Sequence, residues 1–124
     1  MSSTFGISES ALLIHSKRVG LISRNIANAD TPGFKAQTVN FKDALSSSAK
    51  SLDLSVSSEK HINFSSSATP KYRVPNQLSL DGNTVELDVE KMELMEATQQ
   101  YDTALQFING AIDTKLTIIQ GSSK

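Results

Sequence analysis

Apolar side chains recur at helical spacing in two stretches of this chain, one near each end. Between Phe5 and Ala29, Leu12, Val19 and Ile26 repeat every seven residues, and His15, Ile22 and Ala29 repeat at the same interval three positions later. Ile7, Ile14 and Leu21 form a flanking column. This alternation predicts a helix with one broad apolar face. Glu9, Ser16, Lys17, Gly20, Arg24 and Ala27 fall on the other face. Leu13 lies among them, which makes it a candidate contact outside the subunit. Residues 1–4 are polar and predicted to fray, with Ser8 and Ser10 as candidate helix-start residues.

The second stretch, Leu87 to Gln120, is more regular. Leu94, Tyr101 and Ile108 form one column, Thr98, Leu105, Ile112 and Ile119 a second, and Ala97, Ala104, Ala111 and Ile118 a third. Three adjacent columns make a wide stripe, and its alanines let another helix approach closely. Gly121 is a natural terminator. Gly110, costly inside a helix, is expected at a close-packing point or a slight bend.

Between the helices the pattern breaks at Asn25-Ile26-Ala27-Asn28-Ala29-Asp30-Thr31-Pro32-Gly33-Phe34-Lys35-Ala36. Asn28 and Asp30 favour helix ends over helix interiors. Thr31 is pushed out of the helical region by the following proline. Pro32-Gly33 fits the centre of a type II turn. Over 34–45, Val39 and Phe41 alternate with polar residues, which predicts a short extended segment. Residues 46–69 contain ten serines in 24 positions. Leu52, Leu54 and Val56 offer one weak strand and Ile62 and Phe64 another, but the stretch is too polar to fold firmly alone. It is expected to be a mobile loop, or to order only on assembly. Pro70 and Pro75 bracket Lys71-Tyr72-Arg73-Val74, an edge-like extended piece, and Asp81-Gly82-Asn83 signals a turn.

Composition sharpens this outline. With 38% apolar and 6% aromatic residues in 124, one large core is not expected, and a long helical protein that buries surface against partners is. The formal net charge of −1 makes no case for nucleic acid or acidic membranes. Residues 1–34 carry three basic and two acidic groups, 35–80 six and three, and 81–124 three and eight. Opposite charge at the two ends favours their pairing. The absence of cysteine excludes disulfides and thiolate metal sites. No run approaches a membrane span, and the N-terminus lacks the features of a cleaved secretory signal.

Candidate chemistry is sparse. His15 and His61 are the only histidines, and a shared metal site lacks a third ligand, so a packed His15 and a loop His61 are expected. The run Asp81–Asp88 is rich in oxygen but lacks the glycine and ligand spacing of a calcium loop. Glu86, Asp88, Glu90, Glu93 and Glu96 complement the helix dipole and are expected to form a solvated face, there being no nucleophile or pocket for acid–base work. No serine stands in a nucleophile-elbow context. Lys71, Tyr72 and Arg73 are expected on a solvated strand edge. No catalytic, cofactor or metal residue is assigned.

The corner Asn25–Lys35, close behind an amphipathic N-terminal helix, resembles the signature of bacterial flagellar axial proteins, the rod, hook and hook-associated proteins. The stretch Tyr72-Arg-Val-Pro-Asn-Gln-Leu-Ser-Leu-Asp-Gly-Asn-Thr-Val-Glu-Leu-Asp-Val-Glu90, followed by a Met/Glu-rich helix, resembles the small proximal-rod members of that family. Asn25, Asn28, Thr31, Pro32, Gly33 and Phe34 fit the corner signature, with Phe34 in place of a common tyrosine, so any role for that hydroxyl is lost. The resemblance implies a non-enzymatic rod subunit in the periplasmic basal body. It further implies export by the flagellar type III apparatus without signal cleavage. The implied partners are copies of itself, other rod proteins and the adaptor that joins the rod to the MS ring, with no nucleic acid, cofactor or small-molecule substrate.

The expected fold is mainly α: two long terminal helices packed as an antiparallel coiled-coil hairpin, with an extended, partly β or irregular middle. The divisions are 1–33 (helix and corner), 34–86 (Ser-rich middle) and 87–124 (C-terminal helix). The expected helix-packing interface comprises Leu12, Val19, Ile22 and Ile26 from the first helix, and Leu94, Ala97, Tyr101, Ala104, Leu105, Ile108, Ala111 and Ile112 from the second. Assembly is expected to be helical and head-to-tail, unlike patches meeting without closure. A non-polymerising helical adaptor with the same amphipathic stripes is the alternative.

Overall fold

A computed structural model describes residues 2–54 and 69–121. Helix α1 spans Ser2–Ala27, strand β1 Gln37–Thr38, helix α2 Phe41–Leu54, strand β2 Lys71–Tyr72 and helix α3 Leu87–Gly121. The terminal helices pack on each other along much of α1, and α2 packs on α1. Their direction follows from paired residues. Asn25 meets Glu90, Arg18 meets Gln100, and Ile7 and Phe107 line one hollow. Rising numbers on α1 thus face falling numbers on α3, so the two run antiparallel.

The apolar columns are covered unevenly. Ile22 and Ala97 are fully enclosed, while Leu12, Val19, Ile26, Leu94, Tyr101, Ala104, Ile108 and Ala111 are half-buried. Leu105 and Ile112 are exposed, so the second column of α3 is not covered by α1. Leu13 is exposed, as its place on the polar face predicts. Helix α1 already begins at Ser2, earlier than the expected frayed start. Among the described residues a Cβ built on Gly110 meets nothing within 4 Å, so this glycine is not a close-packing point between them.

The middle departs from expectation. Residues 41–54 form α2 rather than an extended segment and a serine-rich loop. Asn40 caps it: its side-chain oxygen accepts from the N–H groups of Lys42 and Asp43 at 3.1 and 3.4 Å. Phe41, Ala44, Leu45 and Ser48 then share a face at helical spacing. The serines fit because their hydroxyls bond backward onto the helix: Ser46 and Ser47 both donate to the Asp43 carbonyl at 2.9 Å. Ile14, Val39 and Ala44 form the small core, with Leu21, Phe41 and Leu45 packed around it. The weak strand expected from Leu52 is therefore helix as far as Leu54. Val56, His61 and the strand expected at Ile62 and Phe64 lie outside the described residues.

Strands β1 and β2 pair antiparallel, Gln37 opposite Tyr72 and Thr38 opposite Lys71. The edge-like reading of 71–74 and the extended reading near Val39 meet in this ladder. Among the described residues no helix is long and apolar enough to cross a membrane.

Helix α3 has 35 residues against 26 in α1, roughly 52 against 39 Å. Its distal turns run past the length of α1, and Leu116, Ile118 and Ile119 are exposed. Helical turns with little apolar packing are marginal. In the purified monomer, amides of residues 112–121 should therefore exchange with solvent faster than those of 90–104 by hydrogen-exchange mass spectrometry. Uniform protection along α3 would contradict this.

Candidate functional site

Among the described residues the predicted corner gathers a dense set of long-range hydrogen bonds. Gly33 has φ 73°, and the Phe34 N–H donates to the Thr31 carbonyl at 3.3 Å, as a type II turn about Pro32-Gly33 requires. Asn28 ties the end of α1 locally. Its amide donates to the Arg24 carbonyl at 2.8 Å, and its oxygen accepts the Thr31 hydroxyl at 3.2 Å.

Asn25 acts over a longer range. It is 1% exposed, within the last turn of the helix. Its oxygen accepts from the Gln37 N–H at 3.1 Å, and its amide donates to the Gln37 carbonyl at 2.8 Å. The side chain thus pairs with one residue of β1 as a neighbouring strand would. The same amide donates to Glu90 Oε2 at 3.2 Å. Glu90 is wholly enclosed, and its other oxygen accepts from Arg73 at 2.6 Å. The second arm of Arg73 reaches Glu93 at 2.6 Å, and its backbone N–H donates to the Ala36 carbonyl at 2.9 Å.

This corrects two expectations together. Glu90 and Glu93 do not belong to a solvated acidic face, and Arg73 does not lie on a solvated edge, because each satisfies the other. Burial lifts the pKa of Glu90 above the ordinary glutamate value. The Asn25 amide and the Arg73 guanidinium oppose that shift, while Glu93 and Glu86 add to it. The charge argument also changes. Among the described residues no ion pair joins α1 to α3; the basic middle segment meets the acidic start of α3 instead.

A second clamp closes the outer side. The buried Asn83 amide lies 2.8–2.9 Å from the carbonyls of Asn28, Ala29 and Thr31, where it caps the end of α1. Its oxygen accepts from the Val85 N–H at 2.8 Å. The Gly33 N–H donates to the Asp81 carbonyl and the Thr84 N–H to the Phe34 carbonyl, at 2.9 and 3.0 Å. The Thr84 hydroxyl accepts from the Ala36 N–H at 2.7 Å, and Lys35 reaches the Gly82 carbonyl at 2.8 Å. The oxygen-rich run 81–88 is therefore a backbone partner of the corner. The Asp81 carboxylate accepts from the Ser79 hydroxyl and the Asn83 N–H, and these bonds lower its pKa.

Residue patterns located Asn25 and Asn28. They did not assign roles to Gln37, Arg73, Asn83, Thr84 or Glu90, whose partners are 12 to 65 positions distant. The one available signal was Asn83 directly after Asp-Gly, where a side-chain amide commonly substitutes for backbone.

His15 is packed, as expected. It is 7% exposed and stacks on Phe41 with ring centroids 4.2 Å apart. Burial first, and then Arg18, hold its pKa below the ordinary histidine value. Among the described residues no group of three or more His, Cys, Asp or Glu is placed to hold a metal ion. The arrangement of the corner ties backbone to backbone.

A terminal helix ending in this clamped corner defines the class. Residues 6–35 match the family described as flagella basal body rod protein. Over 122 residues the chain is 42% identical to the flagellar basal body rod protein FlgB of Aeromonas hydrophila, covering 94% of this chain and 92% of that protein. The FlgB of Cereibacter sphaeroides (strain ATCC 17029) is 37% identical over 119 residues, with 94% and 93% covered. The FlgB of Escherichia coli K12 is 31% identical over 126, with 93% and 91% covered. The chain belongs to the FlgB family of flagellar basal body rod proteins.

Two measurements test the clamps. Asn83→Ala frees several enclosed carbonyls and should cost about 1–3 kcal/mol in denaturant unfolding. Arg73→Met leaves the Glu90 carboxylate buried and unpaired, at a cost of about 3–5 kcal/mol near pH 7.5. The sign with pH follows from the raised pKa. The native state keeps its Glu90 proton to higher pH than the unfolded chain, so this group's contribution is greatest below its ordinary value of 4.5 and falls as pH rises through the native pKa. Removing Arg73 raises that pKa further. The deficit of the variant against wild type should therefore shrink between pH 7.5 and pH 5. An equal deficit at both would show that a charged Glu90 is not its source.

Proposed function

We propose that this chain is a structural, non-enzymatic subunit of the bacterial flagellar rod, at its membrane-proximal end. The observation that carries the reading is relatedness to FlgB proteins over more than nine-tenths of both chains. In this reading α1 and α3 form the inner, coiled-coil layer of a tube, and the corner turns the middle segment outward. Subunits add head to tail without closing, so the assembly grows. It links the MS ring, through its adaptor, to the more distal rod proteins. The chain travels through the flagellar type III export apparatus to the periplasmic basal body.

The surface of the subunit supports this. Leu105, Phe107, Ile112, Leu116, Ile118 and Ile119 are all exposed on one half of α3, more apolar surface than an isolated helix tip normally presents to water. Asn25, Asn28, Thr31, Pro32, Gly33 and Phe34 serve assembly by fixing the angle at which the chain leaves the inner helix. The apolar residues of α1 and α3 that remain half-buried in the monomer complete their burial against neighbours.

A rod subunit should be recovered in purified basal bodies, whereas a non-polymerising adaptor should form a complex of fixed size. Ala104 is half-buried and lines the hollow between the terminal helices. Ala104→Glu should abolish motility in a complementation assay while the protein is still made at normal level. Normal swimming and rod assembly with Ala104→Glu would remove the argument that this seam is buried on assembly.

A further inference from the structure

The α1–α3 seam gapes at one place. Ile7, Ala11 and His15 of α1, Phe41 of α2, and Ala104 and Phe107 of α3 surround a mostly apolar groove of about 600 Å³. Phe107 is 64% exposed on its wall. His15 Nδ1 is buried there without a hydrogen-bond partner among the described residues. Arg18 stands at the edge, where its guanidinium meets the neutral Gln100 side chain at 2.9 Å and no carboxylate among the described residues.

The other flank of α3 has the opposite relief. Glu90 and Ala97 mark the line that faces α1, and Ala104 and Ala111 continue it at seven-residue steps. Leu105 and Ile112 come one residue later and lie roughly 100° around the helix to one side, at about 3.6 residues per turn. Leu116 extends that column by one turn, and all three are exposed. Thr103 and Phe107, which wall the groove, lie to the other side. Asp102 and Asp113 edge the column; both are exposed, with no ion pair among the described residues. Glu96, which accepts from the Gln100 amide at 3.1 Å, lies one turn further along the same flank. One subunit therefore carries an apolar groove edged by Arg18 on one flank and an apolar ridge edged by Asp102 and Asp113 on the other.

We propose that the groove receives the Leu105–Ile112–Leu116 ridge of a second copy of this chain, with Asp102 or Asp113 of that copy facing Arg18. Two features argue for a second copy over any other occupant. The charges at the two edges are complementary. Ridge and groove also lie on different flanks, so the contact is heterologous and leaves a free ridge and a free groove for the next copy. This deepens the rod reading and rests on it, naming the lateral contact through which subunits join.

The cysteine-free chain permits a direct test. Two differently tagged full-length copies are co-expressed in a strain lacking the native gene, one carrying Ala104→Cys, the other Leu105→Cys or Ile112→Cys. Basal bodies are purified and treated with a short bifunctional maleimide. Mixed-tag dimers are expected with at least one pairing, and a several-fold loss of them when Arg18→Glu is added. Both tags in basal bodies without mixed dimers, or with only same-tag dimers, would overturn the contact and leave the rod reading standing. Absence of even the unsubstituted tagged chain from basal bodies would overturn the rod reading itself. Should the cysteines themselves block incorporation, charge exchange decides. Arg18→Glu should reduce swimming at least several-fold, and adding Asp102→Arg with Asp113→Arg should restore it. Failure to restore swimming while the triple variant stays folded by circular dichroism would overturn the proposal.

Discussion

One enclosed carboxylate holds the four segments around the corner. Glu90 starts α3, Arg73 follows β2, Asn25 ends α1, and the Asn25 side chain pairs with Gln37 of β1. Burying a charge is costly, and a hydrophobic cluster of the same volume is often as stable or more so. Apolar packing supplies less register here. Above the corner the α1–α3 seam is lined by alanines and aliphatic residues repeating every seven positions, a pattern that packs nearly as well after a slip of two turns. A slip would separate Asn25 from Glu90 and leave a buried amide, a buried carboxylate and a guanidinium unpaired. The polar cluster therefore makes one alignment of the helices far better than its neighbours.

The apolar surface is divided unevenly. Part of it is consumed within the chain, by Ile14, Val39 and Ala44 and the residues packed on them, while Val74, Leu78 and Leu80 beside the corner stay exposed. Along distal α3 it is left open. The core is small because most of this sequence's apolar residues lie in two helical stripes, and an antiparallel pair covers only one flank of each. Composition points the same way: a chain with few aromatics gains more by packing helices against neighbours than by closing on itself.

Sequence periodicity revealed both terminal helices, the Pro-Gly turn and the packed His15, since each follows from local spacing or from one residue's backbone preference. Helix α2 was hidden because serine is associated with loops. Its capping Asn40 and the 41–44–45–48 face were present in the sequence, but the serine hydroxyls bonding to Asp43 show how a helix accommodates that composition. The Glu90–Arg73 pair was hidden for a different reason. Each residue alone has an ordinary solvated explanation, and only the fold places an arginine 17 positions upstream beside that carboxylate. Asn83 is similar: its three carbonyl neighbours belong to a turn more than 50 residues away. Long-range polar partners have no period to betray them.

In the proposed rod the same polar corner would matter more than in a monomer. Where subunits add without closure, an angular error at the joint between α1 and the segment that follows would recur in every copy. Apolar contacts tolerate small rotations at little cost, whereas hydrogen bonds weaken steeply as they bend. At this joint the restraints point in different directions: Asn25 toward β1 and α3, Asn83 across the end of α1, Thr84 and Asp81 along the corner backbone. A rotation that spares one set bends another. Directional bonds fix the corner, while the non-directional apolar surface of distal α3 is left over, and the proposed rod would bury it between subunits, where no single exact angle is needed for association.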